Sequence, residues 1–82
     1  MTDLARTPEQ VGNLIRRARK RQGLTQAVLG EKAGLRQETI SLIETGNPAT
    51  RLETLLVVLA ALDLELRVTP RSSGGPALED IF

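Results

Sequence analysis

Apolar residues in the first two thirds of the chain recur with the period of a helix. Val11, Leu14, Ile15 and Ala18 stand at i, i+3, i+4 and i+7, one stripe of a helix expected from about Pro8 to Gln22. Its start is written in Thr7-Pro8-Glu9-Gln10, with Thr7 as the cap, Pro8 at the first helical position and Gln10 placed to reach back over it. Gly23 suits the left-handed residue that ends such a helix. Thr25 can cap a second helix of about Gln26 to Ala33 with Val28, Leu29 and Ala33 turned inward. Gly34 then supplies the positive φ of a tight turn, Leu35 plugs the corner, and a third short helix of about Gln37 to Thr45 is closed by Gly46. Two short helices joined by a brief turn containing glycine make the helix-turn-helix pattern.

After Asn47-Pro48, Thr50 and Glu53 read as a second capping-box pair, opening an apolar helix of about Arg51 to Leu62. Leu52, Leu55, Leu56, Leu59 and Leu62 cover more than one stripe of it, which predicts burial on more than one side and, in so short a chain, a subunit interface. Beyond Asp63 the period drops to two. Leu64, Leu66 and Val68 fall on one face and Glu65, Arg67 and Thr69 on the other, until Pro70 stops the alternation. A lone strand leaves its backbone groups unpaired, so pairing with the same strand of a second copy is expected. The predicted fold is an all-α four-helix helix-turn-helix domain with one C-terminal β-strand pairing across a homodimer. Residues 1–7 form an N-terminal arm, 8–63 the helical domain, 64–70 the dimerisation strand, and 71–82 a Ser/Gly/Pro-rich, then acidic-apolar, flexible tail. Leu59, Leu62, Leu64, Leu66 and Val68 are the candidate dimer contacts.

Composition narrows the chemistry. Eighty-two residues make one small domain whose core is marginal alone, and the chain has a single Phe and no Trp or Tyr. There is no Cys and no His, which removes disulfides, thiolate metal sites and most catalytic constellations; neither a cofactor nor a metal is expected. No apolar run approaches the roughly 20 residues that span a bilayer, and MTDLARTPEQ lacks the apolar core of a signal peptide, so a cytoplasmic, nucleoid-associated bacterial protein is expected.

Net charge is only +1, but it is unevenly spread. Met1 to Leu52 holds nine basic and five acidic residues, and Glu53 to Phe82 two and five. The basic part contains RRARKR, in which Arg16, Arg17, Lys20 and Arg21 mostly lie off the apolar stripe. Such a run is often a mere solvated face; here it adjoins the helix-turn-helix pattern. At about 100° per residue the third helix puts Ile40 and Ile43 inward and spreads Gln37, Glu38, Ser41, Leu42 and Thr45 over its outer arc. Gln bonds adenine, Glu accepts from cytosine, Ser serves either, and an aliphatic group fits the thymine methyl.

With Leu24-Thr25-Gln26, Leu29, Ala33-Gly34, Ile40-Ser41, Ile43-Glu44 and Gly46 at their spacing, the chain resembles the phage-repressor-like (XRE-type) helix-turn-helix family over roughly residues 8 to 62. The resemblance implies that the third helix enters the major groove while the second lies across the backbone. It implies base reading by Arg36, Gln37, Glu38, Ser41 and Leu42, and phosphate contacts from Thr25 and Gln26, to which the basic run adds Arg16, Arg17 and Lys20. Glu38 departs from it, being an acid facing a polyanion. The resemblance also implies a buried ion pair between Arg19 and Glu44.

More narrowly, LDLELRVTPR and the short tail resemble the HipB-type antitoxins, which implies an inverted-repeat operator on double-stranded DNA and a HipA-like serine/threonine kinase toxin as partners. Leu78, Ile81 and Phe82, with acidic Glu79 and Asp80 between them, are the candidate toxin anchor. The alternatives are a free-standing phage-type or metabolic repressor without a toxin, and a protein-interaction adaptor on the same helices.

Overall fold

Each of the first two helices begins on a threonine whose hydroxyl accepts a backbone N–H. The computed structural model describes residues 3–71 and contains α1 (Pro8–Arg21), α2 (Gln26–Ala33), α3 (Gln37–Glu44) and α4 (Leu52–Ala61). Thr7 Oγ1 accepts from the Gln10 amide and Thr25 Oγ1 from the Val28 amide, both at 3.1 Å, so each cap satisfies a donor that the first turn leaves free. Gln10 does not close the expected capping box on the Thr7 amide; its side-chain oxygen accepts from the Arg6 amide, one residue further out.

The start of α4 departs from expectation. Its N-cap is Arg51 in extended conformation, without any side-chain cap, so Thr50 and Glu53 do not form a capping box. The preceding turn explains this. Asn47 Oδ1 accepts from the Ala49 amide at 3.0 Å and the Thr50 amide donates to the Asn47 carbonyl, which holds Thr50 in the turn, one residue short of the cap.

All four helices end in one way. Gly23, Gly34, Gly46 and Asp63 have positive φ, and the next residue donates its amide five positions back: Leu24 to Arg19, Leu35 to Gly30, Asn47 to Leu42, and Leu64 to Leu59. This is the Schellman closure, and at Gly34, φ 71°, it sets the angle between α2 and α3. Asp is among the few other residues that tolerate this region.

The core is one cluster drawn from every helix: Ile15, Ala18, Leu29, Ile40, Ile43, Val58 and Leu62. Each fully buried aliphatic side chain contributes about 1.5–3 kcal/mol. Helix α3 packs on α1 and α2, and α2 packs on α4. A close approach at Gly12 allows the first of these contacts, since a Cβ there would lie 2.5 Å from the Ile43 carbonyl oxygen and 2.7 Å from that of Glu44. Leu14 and Ala33 are only half buried, and Val28, expected inward, is exposed. In α2 the inward side is already filled by Leu29 and Gly30, and Val28 falls outside it.

Leu62 also needs correction. Assigned to the dimer contact, it is 1% exposed inside the chain's own core and has no surface left for a partner. Val58, which the leucine pattern masked, is fully buried beside it. Past α4, residues 64–70 run without regular secondary structure and without a paired strand among the described residues. Glu65 and Arg67 form an ion pair at 2.8 Å, and Leu64, Leu66 and Val68 are exposed along with them. The anchor residues Leu78, Ile81 and Phe82 lie outside the described residues.

Candidate nucleic-acid interface

Three buried groups on α3, Ile40, Ile43 and Glu44, fix which side of that helix faces the core. The opposite side carries Glu38, Leu42 and Thr45, all exposed, with Ser41 half buried and Gln37 exposed at the flank. Arg36, exposed, is the extended N-cap. The structure therefore brings the five candidate base readers onto one outward surface from the α2–α3 turn to the middle of α3. Thr45 joins the same arc, with its hydroxyl donating to the Leu42 carbonyl at 3.0 Å, which leaves oxygen lone pairs and a methyl group outward.

Glu38 has no ion-pair partner among the described residues, yet its place in the first turn of α3 is favourable, because the helix dipole puts partial positive charge there. Apart from Arg36 and Glu38 this arc is uncharged. The carboxylate suits a cytosine amino group and disfavours close phosphate approach.

The orientation of this surface depends on a buried cluster. Arg19 Nε donates to Glu44 Oε2 at 2.6 Å and Nη2 to Oε1 at 3.0 Å, a two-pronged pair with side chains 10% and 3% exposed. Arg19 Nη1 also donates to the Leu24 carbonyl at 2.8 Å. The hydrogen bond to Glu44 outweighs desolvation and pushes the Arg19 pKa further up. Stability from the arginine is therefore complete at any pH below the ordinary arginine range and is lost only as pH rises through the elevated value. The cluster includes one unexpected member: Gln26 Nε2 donates to Glu44 Oε1 at 3.1 Å.

Thr25 is exposed and serves as the α2 cap. Arg16, Arg17 and Lys20 are exposed and, with Asn13, line a shallow open depression along the side of α1 away from the core. A second bond that local patterns do not show joins Gln22 Nε2 to the Leu62 carbonyl at 2.8 Å, fastening the ends of α1 and α4 together. Among the described residues no helix is long and apolar enough to cross a membrane.

Two short helices crossing over a glycine turn, with the second polar outward and locked inward by an ion pair, define a helix-turn-helix unit. The family model described as helix-turn-helix matches residues 15–68. Antitoxin HipB of Escherichia coli strain K12 is 31% identical over 70 residues, which cover 85% of this chain and 80% of that protein. An uncharacterized HTH-type transcriptional regulator of Sinorhizobium fredii, y4dL, is 36% identical over 79 residues, 96% of this chain but 40% of that protein. A chain of the solved HipA-HipB-O2-O3 complex superposes with a TM-score of 0.77 at 31% identity, covering 83% of this chain and 96% of that one. The chain belongs to the helix-turn-helix family and, within it, to the HipB-type antitoxins, which are DNA-binding regulators and not enzymes.

Proposed function

We propose that the protein is a dimeric repressor of its own operon and the antitoxin of a HipA-like serine/threonine kinase. The observation that carries the DNA half of this reading is the outward arc of α3, whose groups are held at a fixed angle by Arg19 and Glu44. The relative HipB has been solved with HipA and operator DNA, which supports the kinase half.

In this reading α3 lies in the major groove. Arg36, Gln37, Glu38, Ser41 and Leu42 contact bases, while Thr25, Gln26, Arg16, Arg17 and Lys20 contact phosphates. Two protomers join through α4, where Leu52 and Leu56 are exposed and Leu59 is half buried, and through residues 64–70, whose Leu64, Leu66 and Val68 pair as strands. The two reading helices then stand about 34 Å apart, matching an inverted repeat, and the bound dimer occludes the promoter. Leu78, Ile81 and Phe82 dock on the kinase. The protein works in the bacterial cytoplasm, at the nucleoid.

Footprinting across the protein's own promoter tests the reading: protection of two half-sites one helical turn apart is expected. Gln37→Ala should then cost about 1–3 kcal/mol and relax preference at one base position. An unchanged base preference in that variant would remove α3 from the groove. For the kinase, removal of residues 74–82 should weaken complex formation and leave operator binding intact; equal kinase affinity would move the contact to the folded part. The y4dL relative is described only as an HTH-type transcriptional regulator, and the second reading is accordingly a regulator without a toxin. Absence of a kinase that co-purifies with the protein from its native host would decide for it.

A further inference from the structure

Glu65 and Arg67 stand on either side of Leu66, so the charges of this segment read the same way when the chain is laid against a reversed copy of itself. Both are exposed, and Arg67 Nε and Nη2 each donate to Glu65 Oε2 at 2.8 Å. The backbone limits what can pair here. Asp63, with φ 61°, closes α4 and cannot join a ladder, and Pro70 has no amide hydrogen to give to one. Pairing is confined to residues 64–69.

In an antiparallel pair of identical strands, opposed residues are related by a two-fold axis. The axis must pass through a residue and not between two, since otherwise every apolar side chain would oppose a polar one. A ladder centred on Leu64, Glu65 or Val68 is cut short by Asp63 or Pro70. One centred on Arg67 sets two guanidinium groups face to face, and like charges directly opposite are destabilising. Centred on Leu66, residues 64–68 pair throughout: Leu64 meets Val68, Leu66 meets itself, and Glu65 meets Arg67 twice.

Resting on the dimer reading above, we infer that two copies pair antiparallel with Leu66 on the axis, and that Glu65 and Arg67 select this register. Each Arg67 crosses to Glu65 of the second copy, whose Cβ is about 4.5–5.5 Å away across the ladder, against about 7 Å along its own strand. Exposed ion pairs add little affinity, so the apolar face binds and the charged face aligns. A slip of the axis by one residue moves one protomer by two residues, about 7 Å, past the other. The same two charges therefore contribute to the spacing of the reading helices.

The chain has no cysteine, so a single introduced one reports its own neighbour. Glu65→Cys, Leu66→Cys and Arg67→Cys proteins are oxidised at micromolar concentration and the crosslinked dimer is quantified. Directly opposed Cα atoms lie about 4.5–5.5 Å apart, within disulfide reach, so Leu66→Cys should crosslink most. Predominant crosslinking at position 65 or 67, or equal crosslinking at all three, would overturn the register. Charge reversal is the second arm and leaves Leu66 in place. Glu65→Arg and Arg67→Glu should each weaken self-association about 10-fold at low salt, and an equimolar mixture of the two should associate as the wild type does, because every opposed pair is then matched. Reversals that leave self-association unchanged would overturn the assignment to Glu65 and Arg67. Wild-type protein that sediments as a monomer would overturn the dimer reading itself, and this is seen before any variant is compared.

Discussion

From Thr7 to Gly46 most large apolar side chains are turned into the chain's own core, with Val28 and Leu42 the exceptions. From Leu52 onward the same kind of side chain is repeatedly left outward: Leu52, Leu56, Val57, Leu64, Leu66 and Val68 are all exposed. Contiguous apolar surface of this sort marks an interaction face. The first region packs within one chain, and the second carries the surface of the proposed dimer contact. The orientation of α3 within a protomer is therefore fixed by intrachain contacts, of which the Arg19–Glu44 pair is the most buried polar one. In the proposed dimer, the distance between two reading helices is set by contacts between chains. A substitution in the first region should alter folding and base reading together, and one in the second should alter assembly while each protomer stays folded.

The largest expected effect falls on the first region. Glu44→Ala strands a buried guanidinium and should cost about 3–5 kcal/mol in urea or thermal unfolding. A loss below about 1 kcal/mol would mean that the apolar cluster alone orients α3, and the contrast between the regions would lose its main polar support.

Leu66→Asp addresses the second region. If Leu66 is buried in the proposed dimer, removing it costs about 1.5–3 kcal/mol per protomer, which over both protomers raises the dimer dissociation constant by roughly two to four orders of magnitude. Sedimentation at micromolar concentration should show monomers with unchanged helical content. Dimers that persist would place the interface on α4 alone, at Leu52, Leu56 and Leu59.

Much of the first region was legible because its signals are local. Thr7, Thr25, Gly23, Gly34 and Gly46 place the ends of α1 to α3 through bonds to neighbours in sequence, and Ile40 and Ile43 set the inward side of α3 by spacing alone. What was not legible depends on distant partners. The Gln26–Glu44 and Gln22–Leu62 bonds span 18 and 40 residues. The need for glycine at position 12 exists only because the α3 backbone arrives there. In α4 nearly every position is apolar, so pattern could not separate the core stripe of Leu55, Val58 and Leu62 from the outward one, and Leu62 was assigned to the wrong side. The Thr50–Glu53 pair had the right spacing, but the Asn47 turn had already taken Thr50.

The smallest effect, and the one that sharpens the first region most, concerns the basic stripe of α1. Arg16, Arg17 and Lys20 face away from the core, and in the proposed complex their distance from the duplex decides whether they neutralise phosphates. Counterion release measures this. Each phosphate neutralised by an arginine displaces condensed cations, so log affinity falls with log salt by about 0.9 per contact. Arg17→Gln should flatten that slope by about 1 per protomer and weaken all sequences alike, because a phosphate contact carries no base information. Its melting temperature should not move, since Arg17 is exposed and packs on nothing in the core. An unchanged slope would turn the stripe away from the duplex and confine DNA contact to α3 and the start of α2. A changed base preference at constant slope would instead mean that Arg17 reaches a groove, and that α1 belongs to the reading surface together with α3.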